Sequence, residues 1–534
     1  MHSSWWKRSR VAAALGVLTL LTAALVDFRG LVPPSWGHAL ASVQLVPASL
    51  GAVAGLTFSL VALVAVLALT LVLGRVYCSV ICPLGVLQDI VSRVARWGHR
   101  RTPLLRYAKP VSWLRYGVLG ATLVAVVAGW AGVALALLDP YSNYGRIVAD
   151  LLRPVGVLLN NLLVGGTERL GWTWLYRVEP HWAGAGALAV PAVALSVVVV
   201  LSAWRGRLYC NTLCPVGTLL GAIAQRAAWR IAIDQSACRK CGACLKACKA
   251  QCIDLRTGAI DASRCVACYN CILACDDRGI GYRFGWVRKP TEAKALPPKS
   301  QPSVDGERRA FIATSALALT AATGVGAVWV ADRRRRQEAH GQQEDEGSVG
   351  GPVCPPGAQS VERFLDRCTA CHLCVSACPT GVLQPTVFEY GWAGLAKPRL
   401  DFSTAFCNFD CHRCSEVCPD GAILPLALAQ KKVTQLGIAR FRQRLCIVRE
   451  HGTACGACAE HCPTGAVHMV PYRNGLSIPQ VEAEQCIGCG ACEYACPVRP
   501  TRAIRVASQP VHGRAVVVKE KPAVAPTPTE DFPF

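Results

Sequence analysis

The chain has 534 residues, of which 52% are hydrophobic and only 17% are charged, and its formal net charge is +22. A length of this order accommodates about three or four domains. The sparse charge argues against a soluble nucleic-acid-binding protein, whose basic residues would be dense, so we expect no nucleic-acid partner. Thirty cysteines in a chain this long also exclude the disulfide framework of a small secreted scaffold.

Four apolar stretches in the first half of the chain are long enough, alone or with their neighbours, to cross the hydrocarbon core of a membrane. They cover residues 11–26, 50–73, 116–138 and 183–203. The first follows Lys7, Arg8 and Arg10, but no small-residue cleavage site comes after it, so we interpret it as a retained span rather than a signal peptide. The sequence predicts an all-α transmembrane helical domain of four helices over residues 1–235.

The distribution of Lys and Arg predicts the orientation of these helices. The segment between the second and third stretches carries eight basic residues and the single acid Asp89, whereas the segment between the third and fourth balances four arginines with four acids. Basic segments remain in the cytoplasm, which places the N-terminus there and the balanced segment outside as a loop. Much of the +22 charge is then explained by topology and by attraction to anionic lipid of the bilayer.

A fifth, moderately apolar stretch lies at residues 310–330, after a Pro-rich linker at 291–307. It is preceded by Arg308 and Arg309, a pair that looks like the twin-arginine signature of exported folded proteins. The alternative is that the two arginines only flank a span on its inner side. We interpret residues 308–332 as a signal-anchor helix, 333–353 as a linker, and 509–534 as a disordered tail.

Twenty-four cysteines fall into six sets of four with recurring spacing. Four sets read C-x2-C-x2-C-x3-C, and two are longer in the first gap. This run is typical of bacterial 4Fe-4S ferredoxins, in which the fourth cysteine binds the neighbouring cluster. Adjacent motifs therefore exchange their last ligands. The predicted sets are Cys238, Cys241, Cys244 and Cys275; Cys265, Cys268, Cys271 and Cys248; Cys368, Cys371, Cys374 and Cys418; Cys407, Cys411, Cys414 and Cys378; Cys446, Cys455, Cys458 and Cys496; Cys486, Cys489, Cys492 and Cys462.

Two other uses of these cysteines are disfavoured. Paired C-x2-C knuckles also bind zinc, but a zinc site does not require a third cysteine at x2 and a fourth at x3. The segment from Cys368 to His372 fits a c-type haem attachment pattern, yet haem there would leave the remaining cysteines of its motif without a role. We therefore predict α+β ferredoxin modules of two clusters each, one at residues 236–290 and two within residues 354–508, with six 4Fe-4S clusters in all.

A second repeat carries four of the six remaining cysteines. The segments at 74–85 and 206–217 share the pattern G-R-x-Y-C-x3-C-P-x-G, with Cys78 and Cys82 in one copy and Cys210 and Cys214 in the other. Each copy follows a predicted span, so all four thiols are expected at the same membrane face. A redox thiol pair, a metal site, a seventh cluster and a helix-end packing device all remain open. Cys252 and Cys354 belong to no set and are interpreted as bystanders.

At this point the residues resemble a known family. Residues 10–285, with the paired C-x3-C-P-[LV]-G motifs, are similar to membrane polyferredoxins of the NapH and NosR type, although no FMN-attachment segment is evident. The segment from the twin arginines through Cys496 is similar to exported NapG and methylamine-utilisation ferredoxins with four clusters. The chain thus looks like a fusion of the two.

The resemblance implies the electron-transfer subunit of a quinol dehydrogenase in the bacterial cytoplasmic membrane. Electrons would pass from the quinol pool along the clusters to a periplasmic cytochrome or reductase, with residues 236–307 in the cytoplasm and 333–534 exported. The alternative is a maturation factor that supplies electrons to a periplasmic redox enzyme; a redox sensor is weaker, since no effector domain remains. We interpret His38, Gln44, Gln88 and Asp89 as ordinary interfacial residues and predict no catalytic residue or quinone site.

Overall fold

The computed structural model describes residues 2–98, 107–169, 175–180, 182–277, 279–285 and 351–516. Its first part, the helical domain (residues 2–224), consists of helices and one π-helical turn. The helices are His2–Val26 (α1), Pro34–Ser42 (α2), Leu45–Val53 (α3), Thr57–Leu73 (α4), Tyr77–Val80 (α5), Pro83–Gly98 (α6), Ser112–Val127 (α7), Ala131–Leu138 (α8), Pro140–Arg146 (α9), Arg153–Arg169 (α10), Ala185–Arg205 (α11), Leu208–Thr212 (α12) and Pro215–Ala224 (α13), with the π-helical turn Ile147–Leu152 between α9 and α10.

Three helices of the described residues are long and apolar enough to cross a membrane: Trp5–Val26, Pro140–Glu168 and Ala185–Arg205. Two of the four predicted spans are shorter than expected. The second is reduced to α4 because the chain turns at Gly55, where φ is +84°. The third divides into α7 and α8 because Gly129, also at positive φ, interrupts it. The first and fourth predicted spans coincide with α1 and α11.

The predicted loop between the third and fourth spans is wrong over residues 140–169, which form a nearly continuous helix. Asp139 caps its start by accepting a hydrogen bond from Ser142 N, and Pro140 occupies the first turn, where its missing N–H costs nothing. Arg146 and Asp150, which belong to the predicted loop, are both buried. Arg146 donates to Ala136 O and Asn143 Oδ1, and Asp150 pairs with His372.

The N-terminal ferredoxin unit (residues 229–285) begins earlier than the predicted boundary at 236, because its first strand pairs with its last. It contains two two-stranded antiparallel sheets and two short helices, the usual scaffold of paired cluster motifs. The elements are Trp229–Ile233 (β1), Ala243–Ala247, Ile253–Asp254 (β2), Ala259–Ile260 (β3), Asn270–Leu273 and Ile280–Phe284 (β4).

The C-terminal ferredoxin unit (residues 351–516) repeats this organisation twice. Its helices are Val361–Arg367, Leu373–Ala377, Arg413–Val417, Leu428–Lys431, Ile447–Glu450, Ala457–Glu460 and Ala491–Ala495, with 3-10 turns at Trp392–Gly394, Gln443–Leu445 and Arg473–Gly475. Its strands form three antiparallel pairs: Leu383–Pro385 (β5) with Pro398–Leu400 (β6), Thr434–Phe441 (β7) with Ile504–Arg514 (β10), and Val467–Pro471 (β8) with Ser477–Val481 (β9).

The disordered tail predicted from residue 509 is wrong up to residue 516. Gly513 and Arg514 pair with Gln435 and Thr434 after a bulge in β10, and Ala515 is buried. The sequence did not predict this part of the strand because a regular strand ladder would exclude Pro510. The bulge in β10 tolerates the proline. The rest of the tail, the linker at 291–307, the twin-arginine pair and the predicted anchor lie outside the described residues.

The two ferredoxin units contact opposite ends of the helical domain. At one end of α1, the Trp6 ring lies 6.4 Å from the Tyr269 ring of the N-terminal unit. Beyond the other end, Gly30 lies against Arg413 of the C-terminal unit. From Trp6 to its end at Val26, α1 rises roughly 30 Å. The helical domain therefore separates the two units by about the thickness of a bilayer core.

A pH-dependent contribution to stability arises in β10. Both ring nitrogens of His512 are buried and have no hydrogen-bond partner among the described residues, and burial lowers the pKa of His512 to about 4. The pKa of His512 in the folded chain is thus below its pKa in the unfolded chain. The stability that neutral His512 contributes is therefore complete above about pH 6.5 and is lost as the pH falls toward 4. Between pH 7 and pH 5 the β7–β10 pair should lose about 2 kcal/mol.

Hydrogen exchange of the Ile504–Arg514 amides, corrected for intrinsic rates, measures this loss. The His512→Gln variant should show a weaker dependence on pH than the wild type. His468→Gln is the control, because the His468 side chain is 44% exposed. Equal pH dependence of wild type and His512→Gln would contradict the assignment.

Candidate iron-sulfur centres

Each cluster motif folds as a tight loop followed by one turn of helix. In four motifs, the residue that precedes the short helix containing the third cysteine has a left-handed backbone conformation. These residues are Gly242, Tyr269, His372 and Gly490. This reversal directs the first three cysteines toward a common centre. The short helix then carries the fourth cysteine away from them, so a neighbouring motif must supply the missing ligand.

The structure brings together the crosswise sets of cysteines predicted above. Four sets each line a common cavity: Cys238, Cys241, Cys244 and Cys275; Cys248, Cys265, Cys268 and Cys271; Cys368, Cys371, Cys374 and Cys418; Cys462, Cys486, Cys489 and Cys492. In the other two, the sulfur atoms lie within electrostatic range of one another: Cys378, Cys407, Cys411 and Cys414; Cys446, Cys455, Cys458 and Cys496. All thirty cysteines lie in the described residues and none forms a disulfide.

Burial affects the chemistry of these thiols. It raises the pKa of Cys368 to about 11 and that of Cys458 to about 12. Such thiols keep their protons at neutral pH unless a metal replaces them. Binding of iron is therefore coupled to the release of protons.

The two halves of the C-terminal unit are joined next to their clusters. Cys407 N donates to Cys489 O at 3.0 Å, so a predicted ligand of one half contacts a predicted ligand of the other. Close by, the buried Arg502 donates to the carbonyl oxygens of Phe402 at 2.6 Å, Ser403 at 2.9 Å and Glu493 at 2.5 Å. Arg502 thus ties the 351–423 half to the 434–516 half.

Replacing Arg502 with methionine should lower the free energy of unfolding of the C-terminal unit by about 2–4 kcal/mol, because three carbonyl groups lose a charged donor. The thermal midpoint of the full chain in detergent measures the effect. Arg505→Met is the control, since Arg505 makes only a half-exposed contact with Glu493 at 3.6 Å and should cost less than about 1 kcal/mol. Equal midpoints for the two variants would show that Arg502 does not join the halves.

The four cysteines of the C-x3-C-P repeat, hereafter the paired-cysteine site, lie inside the helical domain rather than on its surface. Cys78, Cys82, Cys210 and Cys214 are each at most 3% exposed. The two copies are related by an approximate twofold exchange of contacts. Arg207 of the second copy donates to Cys78 O at 2.5 Å, and Arg75 of the first copy approaches Cys210 O at 3.5 Å.

The helical domain also contacts a cluster loop of the C-terminal unit directly. His372, which lies between Cys371 and Cys374, places Nδ1 2.8 Å from Asp150 Oδ1 and Nε2 2.6 Å from Ala396 O. The His372 ring therefore connects Asp150 of the helical domain to Ala396 of the C-terminal unit. Next to this pair, Gly145 lies against the carbonyl group of Cys371.

Sequence reasoning missed several of these residues. Cys252, interpreted as a bystander, lies in the cavity of the Cys265 set with its sulfur 3.6 Å from Cys248 Sγ. Cys354 lines none of the four cluster cavities and contacts the Tyr390 hydroxyl at 3.4 Å. The G-R-x-Y-C repeat did contain a signal for Arg75 and Arg207, since an arginine repeated at the same offset from two cysteine pairs indicates a shared role.

Four regions of the chain match three models of iron-sulfur domains. A 4Fe-4S binding domain matches residues 56–104 and 187–232, which contain the two C-x3-C-P copies. A 4Fe-4S dicluster domain matches residues 367–423, and another matches residues 452–499.

Several curated proteins are similar to parts of the chain. The methylamine utilization ferredoxin-type protein MauM of Paracoccus denitrificans is 32% identical over 159 residues, 29% of this chain and 70% of MauM. The ferredoxin-type protein NapF of Haemophilus influenzae is 30% identical over 146 residues, 27% of this chain and 75% of NapF. The chain also covers 49% of MauN of P. denitrificans at 30% identity. No solved structure matches the chain.

Proposed function

The chain belongs to the family of ferredoxin-type proteins that includes MauM and NapF, and on this basis we propose that it conducts electrons across a bacterial cytoplasmic membrane. Its 4Fe-4S domains make it an iron-sulfur electron-transfer protein. Three helices that could cross a membrane support association with the bilayer. In this proposal the N-terminal unit lies in the cytoplasm, the C-terminal unit lies in the periplasm, and the six crosswise sets hold six 4Fe-4S clusters.

The observation that carries this proposal is the position of the two ferredoxin units at opposite ends of the helical domain. An electron-transfer protein confined to one compartment gains nothing from such separation, whereas a transmembrane conductor requires it. The positive-inside orientation assigns the N-terminal unit to the cytoplasm independently of the structure. Electrons would enter from the quinol pool and leave to a periplasmic cytochrome or reductase.

The order of clusters in the C-terminal unit follows from its contacts. The Cys368 set contacts the helical domain through Gly145 and Asp150. The Cys407 set lies in the same half of the C-terminal unit as the Cys368 set. It contacts the Cys486 set through Cys489. The Cys446 set packs in one core with the Cys486 set and comes last in this order. We assign it the role of exit to the periplasmic partner.

A quinol should reduce the clusters of the purified full-length chain. The measurement is loss of cluster absorbance after anaerobic addition of a soluble quinol analogue, with dithionite as the control that reduces every cluster directly. Reduction by dithionite but not by quinol would exclude quinol as donor while leaving the iron-sulfur assignment intact. Reduction by neither would exclude both.

A second candidate function is favoured by the methylamine utilization relatives: electron supply during maturation of a periplasmic redox enzyme. Here the chain would act once per partner molecule rather than in each turnover. Deletion of the gene distinguishes the two. A maturation factor leaves an inactive enzyme without its finished cofactor, whereas a respiratory conductor leaves a finished enzyme without electrons.

A further inference from the structure

We propose that Cys78, Cys82, Cys210 and Cys214 together hold a seventh iron-sulfur cluster inside the helical domain, with two ligands from each copy of the repeat. The two copies meet at these cysteines: Arg75 Nη2 lies 3.7 Å from Cys78 Sγ and 3.5 Å from Cys210 O. All four cysteines belong to one buried core. All four are free and buried, so water does not compete for the site.

The charge around the site favours an anionic group. Arg75 and Arg207 are fully buried beside the four thiols, and Arg207 pairs with Asp89 at 2.8 Å. Asp89 is also shared with Lys249 at 3.1 Å, so it does not balance these cations alone. Arg75 has no carboxylate partner among the described residues; its hydrogen bonds run to Asn211, Ser263 and the cysteines.

A buried cation without a counter-ion is costly, and this arrangement contains at least one. An oxidised cubane bound by four thiolates carries a double negative charge, which two guanidinium groups would balance. The surroundings also contain two buried donors, Arg75 Nε and Arg207 Nη2, that form no hydrogen bond within the part of the chain that the structure describes. A cluster sulfide or a cysteine thiolate would supply the missing acceptors.

The donor atoms favour an iron-sulfur cluster over a hard cation, because four buried cysteines supply only sulfur. Among the described residues, no group of three or more His, Cys, Asp or Glu side chains is placed to hold a single metal ion. Gln88 Nε2 donates to Cys210 Sγ at 3.1 Å and Gly217 N to Cys214 Sγ at 3.3 Å, as expected for ligand thiolates in an iron-sulfur site.

The position of the paired-cysteine site indicates a role as an electron relay, and this role rests on the proposed function. On one side, Arg75 lies within electrostatic range of Cys265, a predicted ligand of the N-terminal unit. On the other side, Asp139 is in range of Tyr209 of the repeat and of Tyr141, which in turn is in range of Cys371. The site thus lies between the clusters nearest to the two ends of the helical domain.

A relay at this position would divide one long electron transfer into two short ones. Tunnelling rates fall exponentially with distance, and α1 rises roughly 30 Å from its contact with the N-terminal unit at Trp6 to its other end. One electron leaves a neighbouring cluster, which is oxidised, and reduces the seventh cluster. The same electron then passes to the other neighbour, so no further reactant is needed.

Native mass spectrometry of the full-length chain, combined with iron and acid-labile sulfide analysis, counts the clusters. We expect the wild type to carry one cluster more than the six ferredoxin sets supply, and the Cys82→Ser/Cys214→Ser double variant to lose that one. The Cys354→Ser variant is the control for replacing a buried cysteine, since Cys354 belongs to no set. A double variant with an unchanged metal and sulfide content overturns the proposal, as does loss of a single ion without sulfide.

Two further variants keep the test valid if the double variant does not fold. Arg75→Gln removes a positive charge, so the reduction potential of the seventh cluster should become more negative, whereas Arg75→Lys keeps the charge and should leave it near the wild-type value. The reduction potentials are followed spectroscopically during reduction with a chemical reductant. The measurement therefore does not depend on quinol as the electron donor. Equal potentials of every cluster in the Gln and Lys variants overturn the proposal.

Discussion

Replacing Cys378 with serine is expected to remove the cluster bound by Cys407, Cys411 and Cys414, while the cluster of its own motif remains. The reason is the short helix Leu373–Ala377, which carries Cys378 away from Cys371 and Cys374 and toward Cys407. The loss is one cluster, about four irons per chain. It should interrupt conduction between the halves of the C-terminal unit almost completely.

Alkylation of exposed thiols followed by peptide mass spectrometry identifies which set has lost its cluster. In Cys378→Ser the newly reactive residues should be Cys407, Cys411 and Cys414. In the matched variant Cys418→Ser they should be those of the Cys368 set, because Cys418 lines that cavity. New alkylation of Cys371 and Cys374 in Cys378→Ser would contradict crosswise ligation.

Replacing Gly145 with alanine is expected to separate the helical domain from the C-terminal unit. A Cβ at this position would overlap the backbone carbonyl group of Cys371, which cannot move without displacing a predicted cluster ligand. Overpacking of this kind costs about 1–3 kcal/mol, occasionally more. Electron exchange between the two ferredoxin units should slow, although the number of clusters stays the same.

Gly165→Ala is the matched control on the same helix. No heavy atom lies within 4 Å of a Cβ at Gly165, so alanine there should stabilise the helix by about 0.5–1 kcal/mol. The measurements are hydrogen exchange of residues 368–378 and the rate at which the N-terminal clusters are reoxidised through the C-terminal unit. Equal exchange and equal rates in the two variants would show that the Gly145 contact does not hold the units together.

The cluster motifs were predictable because their geometry is local. The spacing of Cys238 to Cys248 alone defines a loop and a helical turn, and the crosswise partner follows from the direction of that turn. The sets that the structure brings together are those that the spacing predicts. Their role as ligands and the number of six clusters stay predictions that the cysteine variants test.

The helical domain was less predictable because its charges are satisfied at long range. Asp150 pairs with His372, which is 222 residues away in sequence, and a count of charges cannot distinguish such a residue from one exposed to water. The N-cap at Asp139 and Pro140 was a usable signal for the helix that we had interpreted as a loop. The proximity of Cys78 to Cys210 likewise needs three-dimensional information, since the repeat shows only that the copies are alike.

The reciprocal contacts of the two C-x3-C-P copies have a consequence for biogenesis. Arg207 reaches the copy that contains Cys78, and Arg75 reaches the copy that contains Cys210, so neither half is complete by itself. Synthesis delivers the first copy to the membrane more than a hundred residues before the second. During that interval Arg75, Cys78 and Cys82 lack their partners from the second copy. Contacts between residues this distant in sequence form slowly. We expect this interval to be the stage of assembly that is most sensitive to oxidation and proteolysis.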